Sequence, residues 1–297
     1  MPSIAARVTD LIFRLMPVYR TGTEHDHEAE RKRNAARRVP RLPKGVELQE
    51  ISLNGIPAER LTGEGNDKGT VLYIHGGGFT TGSARERRMI TQYIAHRCGY
   101  DCVAIDYRLA PENRWPAQID DCLTAYSELI RTTDPADIVF MGESAGGTLV
   151  LALAQAVKQK GLSLPKAIAA FSPGTENSAA LPSHTGNIKT DFMLRDAVSR
   201  GIADVLFDHE AGTVELRDPL ISPFYGDYTG LPPVFLSASD SETLYDDTMI
   251  LYGKLAREGH AVGLDIGHGV CHAYQIMTYM PEARRTLKRC FEFFSGC

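Results

Sequence analysis

Apolar and polar residues alternate along the chain in two rhythms. Short β-branched or apolar runs stand at 46–53 (VELQEISL), 70–76 (TVLYIHG), 101–107 (DCVAIDY), 137–142 (DIVFMG), 166–172 (KAIAAFS), 233–239 (PVFLSAS) and 261–267 (AVGLDIG), and each reads as a strand. Between them the apolar period lengthens to that of a helix. Ile119, Cys122, Leu123, Tyr126 and Ile130 share one face, as do Leu244, Thr248, Leu251, Tyr252 and Leu255, and again Ala283, Leu287, Phe291 and Phe294. Strands alternating with helices predict a mostly parallel sheet covered on both faces, because each parallel crossover carries its connection across the sheet.

The alternation fails in two places. At the start, Ile4, Val8, Leu11, Ile12 and Leu15 recur at helical spacing, which predicts an amphipathic helix packed on the core or a lid. The mixed-charge segment 24–38 (EHDHEAERKRNAARR) predicts a solvated helix, and its His-Asp-His lacks the further ligands of a metal site. The second break, 174–230, sets proline, glycine, serine and acidic residues around a helical piece, DFMLRDAVSRGIADVLF. An excursion of this kind within an alternating fold usually covers an active site.

Composition narrows the picture. With 43% hydrophobic and 23% charged residues among 297, the chain can bury a large core. A net charge of -5 gives no basic footprint for nucleic acid. No apolar run approaches the roughly 18 residues of a membrane span, so no stable membrane association is expected. Six cysteines show neither a C-x-x-C pair nor zinc spacing. Reduced thiols in a cytoplasmic protein follow.

Candidate chemistry begins at 142–146, Gly-Glu-Ser-Ala-Gly, between a predicted strand and a predicted helix. That is the G-x-S-x-G elbow, in which two glycines remove side chains that would collide across a sharp turn and leave Ser144 presented at the top of a sheet. A second glycine cluster, His75-Gly76-Gly77-Gly78, follows an earlier strand and matches the run that offers backbone N–H groups to an oxyanion. Gly77, Gly78 and Ala145 are the expected donors. A phosphate-binding loop is the weaker alternative, because the P-loop lysine is missing. A serine nucleophile needs a base, and the base an orienting acid. In this fold the chain order is serine, acid, histidine, which leaves His260, His268 and His272. Of these, His272 lies in the loop after the last strand, with His268 its rival there. The acid should come from DSETLYDD, where Asp240, Glu242, Asp246 and Asp247 all qualify by spacing.

With HGGGF (75–79), DYRLAPENRWPA (106–117), GESAGG (142–147), SETLYDD (241–247) and GVCHAY (269–274), the chain resembles the hormone-sensitive-lipase-like family of α/β-hydrolases, the bacterial carboxylesterases. The resemblance covers nearly everything from about residue 68 onward. It implies an α/β-hydrolase fold with a mostly parallel central sheet, flanking helices and a helical cap. It implies Glu242 as triad acid, with Asp246 as a supporting carboxylate and Asp240 as the alternative, and gives Asp106 and Arg108 a structural part. The expected division is 1–45 and 178–225 as cap, with 46–177 and 226–297 as core. Phe13, Phe79, Phe192, Met193, Leu206 and Phe207 are candidates for lining an acyl pocket. The implied activity is hydrolysis of small-molecule acyl esters, short to medium in chain length, through an acyl-enzyme with the triad Ser144, Glu242 and His272, without metal or organic cofactor. Alternatives are a lactone or N-acyl hydrolase with the same residues, and a non-catalytic receptor on the same scaffold. Members of the family often form homodimers through the last strand.

Overall fold

The computed structural model describes residues 1–15, 26–194, 205–207 and 214–296. Eight strands form one sheet: β1 (Val46–Leu53), β2 (Ile56–Gly63), β3 (Thr70–Ile74), β4 (Asp101–Ile105), β5 (Ile138–Glu143), β6 (Ala167–Phe171), β7 (Val234–Ser239) and β8 (Val262–Gly267). Their order across the sheet is β1-β2-β4-β3-β5-β6-β7-β8. The pairs from β4 to β8 are parallel, and β1–β2 and β2–β4 are antiparallel. β2 is absent from the seven apolar runs, because Pro57, Glu59 and Arg60 break its apolar pattern. Its signal is the preceding Asn54-Gly55 pair, both at positive φ (50° and 92°), which closes a tight hairpin turn.

The helices are α1 (Ile4–Leu15), α2 (His27–Ala35), α3 (Arg88–Arg97), α4 (Ala117–Leu129), α5 (Ala145–Gln159), the short α6 (Pro182–Gly186), α7 (Tyr245–Arg257) and α8 (Pro281–Ser295). Alternation along the strands sends neighbouring side chains to opposite faces. Leu72, Ile74, Val103, Phe140 and Ile168 join the core under α4, α5 and α7. Val71, Tyr73, Cys102, Val139 and Met141 join the core under α3 and α8. The apolar faces anticipated for α4, α7 and α8 point inward, with Ile119, Cys122, Tyr126, Leu251, Leu255, Ala283, Leu287 and Phe294 all buried. α5 is buried from Ala145 to Val157, which explains its apolar residues on every side.

α1 departs from expectation. The helix forms, but Ile4, Val8, Leu11, Ile12 and Leu15 are 50–79% exposed. The buried residues are Ala6 and Thr9, and Ala5, Ala6 and Phe13 pack with Val270, Tyr274 and Met277. Small side chains let the helix approach closely on that side, so the large apolar residues face outward. Most of the expected helical piece at 191–207 lies outside the described residues. No helix among the described residues is long and apolar enough to cross a membrane.

The sheet order positions the site. β3 lies between β4 and β5, and the chain leaves β3 towards α3 on one face and β5 towards α5 on the other. A crevice opens at such a switch point, beyond the carboxyl ends of the strands. Both glycine clusters emerge there.

Candidate active site

Ser144 stands between β5 and α5 with φ 55° and ψ -124°, a conformation that costs a side-chain-bearing residue about 1–3 kcal/mol. The surroundings impose it. Its N–H donates to the Phe171 carbonyl (2.8 Å), and its own carbonyl accepts from Thr148 N–H (3.0 Å) as α5 begins. A Cβ on Gly142 would lie 2.5 Å from the Gly146 carbonyl oxygen, one on Gly146 would strike the Ile74 carbonyl, and one on Gly76 would come within 2.9 Å of Ser144 Cβ. The elbow therefore closes only with glycine at these positions.

The HGGG segment turns beneath it. Gly77, Gly78 and Phe79 all have positive φ (119°, 61° and 61°), and Gly77, Gly78, Ala145 and Ser144 line one cavity. The N–H groups of Gly78 and Ala145 have no partner among the described residues. Ala145 is the first residue of α5, where helix N–H groups lack intrahelical acceptors. His75 turns away: Nδ1 meets the Gly76 carbonyl at 2.9 Å, the ring stacks on Tyr107 at 4.3 Å, and burial lowers its pKa to about 4. It is a neutral structural residue.

Glu143, next to Ser144, is almost fully buried and ties the two glycine clusters together. Its carboxylate accepts Gly76 N–H (2.7 Å), the Arg87 Nε–H (2.5 Å) and the Tyr73 hydroxyl (2.5 Å). Burial, the largest single influence, works to lower the pKa of Arg87, but the charge and hydrogen bond of Glu143, with Tyr73 and Glu86, act against it and the net shift is upward. Arg31 of α2 braces the far side of the loop, donating to the Thr80 carbonyl (2.6 Å) and the Ala110 carbonyl (2.5 Å). In the DYRLAPE segment, Asp106 accepts Ala84 N–H at 2.6 Å and Arg108 pairs with Asp121, so both brace the same neighbourhood.

Among the histidines, the structure separates the candidates. His272 Nδ1 lies 3.2 Å from Glu242 Oε2, with both side chains buried. Its Nε2 has no partner among the described residues, and the ring lines the cavity with Ser144. His268 pairs instead with Asp240 (2.8 Å) at the surface, 77% and 38% exposed, and His260 meets the Pro232 carbonyl. Burial is the largest single influence on the His272 pKa and pulls it down, but the charge and hydrogen bond of Glu242, with the charges of Asp191 and Glu143, pull it up, and the net shift is upward. Burial also raises the Glu242 pKa, against the pull of His272. Asp246 accepts Ser183 N–H at 2.7 Å, while Asp247 accepts from Thr175 and Glu176 N–H. The hydrogen bonds of Asp246 therefore hold the 183 segment and do not reach His272.

Sequence reasoning missed Ser172, Asp191, Arg87 and Tyr73. Ser172, at φ 47°, donates to Glu242 Oε2 (2.9 Å) and accepts Ala273 N–H (3.2 Å), so it links the acid to the histidine loop. Its one sequence signal is its place at the end of β6. Asp191 accepts the Thr243 N–H (2.8 Å) and fixes the residue after Glu242 from a distant segment, which no local pattern announces. The cavity measures about 1230 Å³, and all six pocket candidates, Phe13, Phe79, Phe192, Met193, Leu206 and Phe207, line it. No cluster of three potential metal ligands occurs among the described residues.

The chain matches the α/β-hydrolase fold family over residues 71–276. It is 30% identical to an acetyl-hydrolase of Streptomyces hygroscopicus over 240 residues, 80% of this chain and 79% of the relative. Among solved structures, EstE5 soaked with p-nitrophenyl butyrate superposes with a TM-score of 0.88 at 26% identity, covering 98% of each chain. An esterase from the bacterial hormone-sensitive lipase family superposes with a TM-score of 0.85 at 30% identity, covering 99% of this chain and 98% of that one.

Proposed function

The chain belongs to the α/β-hydrolase fold family, in its bacterial hormone-sensitive-lipase-like branch, and on that premise we propose that it is a carboxylic ester hydrolase using Ser144, His272 and Glu242. The observation that carries the reading is the pairing of His272 Nδ1 with buried Glu242, which leaves Nε2 unpartnered in the cavity that Ser144 lines. In this mechanism Nε2 takes the proton from the Ser144 hydroxyl as the oxygen attacks the ester carbonyl. Glu242 holds the tautomer with hydrogen on Nδ1 and stabilises the imidazolium that forms. The N–H groups of Gly77, Gly78 and Ala145 take up the charge that develops on the carbonyl oxygen, each donor contributing about 3–4 kcal/mol. His272 then passes its proton to the departing alkoxide, and water, deprotonated in turn by His272, hydrolyses the acyl-Ser144 ester.

Segments 1–45 and 178–225 act as the cap in this reading. It is supported by Phe13 from α1, Asn34 from α2, and Ile188 and Phe192 from the later segment, which line the same cavity as Ser144. The mostly apolar lining suits short- to medium-chain acyl groups. The test is p-nitrophenyl butyrate hydrolysis by wild type and Ser144→Ala, with fluorophosphonate labelling of each. The variant is expected to lose both turnover and label; turnover at the wild-type rate would remove Ser144 from the mechanism.

A further inference from the structure

A second concavity, about 810 Å³, lies between α3 and α8 and shares no lining residue with the cavity of Ser144. Lys68, Arg97, Arg284, Arg285 and Lys288 surround it, and Glu292 is the only carboxylate in its wall among the described residues. These cations come from three separate stretches of a chain whose net charge is -5. Glu292 is already engaged by Lys288 at 3.6 Å. Arg97 and Arg284 have no carboxylate partner among the described residues, while the charge of Arg285 also acts on Glu282; Arg284 reaches the Tyr279 carbonyl (3.2 Å), and Lys68 the Cys98 carbonyl (3.3 Å). Converging like charges repel one another, and an anion between them relieves that repulsion.

The inner wall points to a ligand as well. The Tyr100 ring packs in the groove wall beside Phe291, 4.9 Å away between ring centres, and its hydroxyl opens to solvent there with no protein partner among the described residues. The Tyr93 hydroxyl is likewise unpartnered. Burial raises the Tyr93 pKa and Cys98 adds to it, while Arg284 and Arg97 pull it down, so both guanidinium groups act on that hydroxyl. Two phenol donors and a set of arginines around an aromatic floor present hydrogen-bond donors to phosphate oxygens and a flat apolar surface to whatever carries them.

We propose that the groove between α3 and α8 binds an organic oligophosphate of the nucleotide class, its phosphates held by Arg97, Arg284, Arg285 and Lys68 and by the hydroxyls of Tyr93 and Tyr100. This site is independent of the ester-hydrolase reading. Five cations around one groove match the charge of a di- or triphosphate better than that of a lone phosphate.

Calorimetric titration of the whole chain with ATP, pyrophosphate and adenosine tests it. ATP is expected to bind at low ionic strength and weaken as salt rises. Pyrophosphate should displace it, and adenosine alone should not bind. An Arg97→Glu/Arg284→Glu variant should bind at least about tenfold more weakly, with its circular dichroism unchanged. Tyr100→Phe should weaken binding without altering charge. If the double variant fails to fold, Arg97→Gln and Arg284→Gln carry the same comparison singly. The proposal is overturned by absence of ATP binding at low salt, by equal binding in the charge-altered variants, or by binding confined to phosphatidylserine vesicles.

Discussion

Replacing Glu143 by glutamine isolates what the residue before Ser144 contributes. The substitution keeps the shape and one acceptor for Gly76 N–H but deletes the charge that faces Arg87. Removing one partner of a buried ion pair costs about 3–5 kcal/mol. Here Arg87 keeps 14% exposure, and Glu86 remains 3.9 Å away, so the expected loss is lower, about 2–3 kcal/mol. At about 2–4 °C per kcal/mol for a chain of this size, thermal melting should fall by roughly 5–10 °C. The catalytic readout is the pH–rate profile for p-nitrophenyl butyrate. The charge of Glu143 is one of those raising the His272 pKa, so its removal makes the imidazolium less stable and moves the acid limb to lower pH. Glu143→Ala also deletes the acceptor for Gly76 and should lose about a further hundredfold in kcat, the scale of one misplaced oxyanion donor, with KM little changed. An Arg87→Met/Glu143→Gln double variant should recover part of the stability, because no guanidinium is left facing a neutral amide, although Glu86 then loses the nearby charge of Arg87. An unmoved melting temperature together with an unmoved acid limb for Glu143→Gln would refute the reasoning.

Three further outcomes are expected. In the wild type, activity should fall as pH drops through a midpoint above the ordinary histidine value of about 6.5, since the net His272 shift is upward and the protonated ring cannot accept the Ser144 proton; a midpoint below that value contradicts the assignment. Ser172→Ala strips a hydrogen bond from Glu242 and an acceptor from Ala273 N–H, and should lower kcat about tenfold or more, with a stability loss of about 1–3 kcal/mol measured by urea denaturation. His268→Gln and Asp240→Asn, which alter an exposed pair, should each stay within about 0.5 kcal/mol of wild-type stability and leave kcat/KM unchanged; a large loss in either would reopen Asp240 as the acid.

The sheet and its flanking helices were legible because period-two runs and period-3.6 faces repeat through the chain and because the buried parallel strands are almost wholly apolar. β2 escaped because only part of its surface is buried, so polar residues and a proline interrupt its pattern. The outward face of α1 escaped for the opposite reason. Amphipathicity says that a helix has two sides, but not which side meets the protein, and here Ala6 and Thr9 take the inner positions. At the candidate site, the two glycine clusters were readable because steric exclusion dictates a residue type. Choosing among four carboxylates was not, since Asp240, Glu242, Asp246 and Asp247 differ only in which distant group each meets. Ser172 and Asp191 are tertiary partners of the same kind, invisible until strands and loops far apart in sequence are brought together.

β6 and β7 separate the strand that precedes Ser144 from the strand whose loop carries His272. The alcohol and the imidazole thus reach one crevice only after three successive parallel pairings have registered correctly. With the proposed triad, turnover reports the completion of folding. A chain stopping short of β8 would lack His272 and be chemically silent, and recovery of hydrolysis after dilution from denaturant should lag behind the return of helical signal.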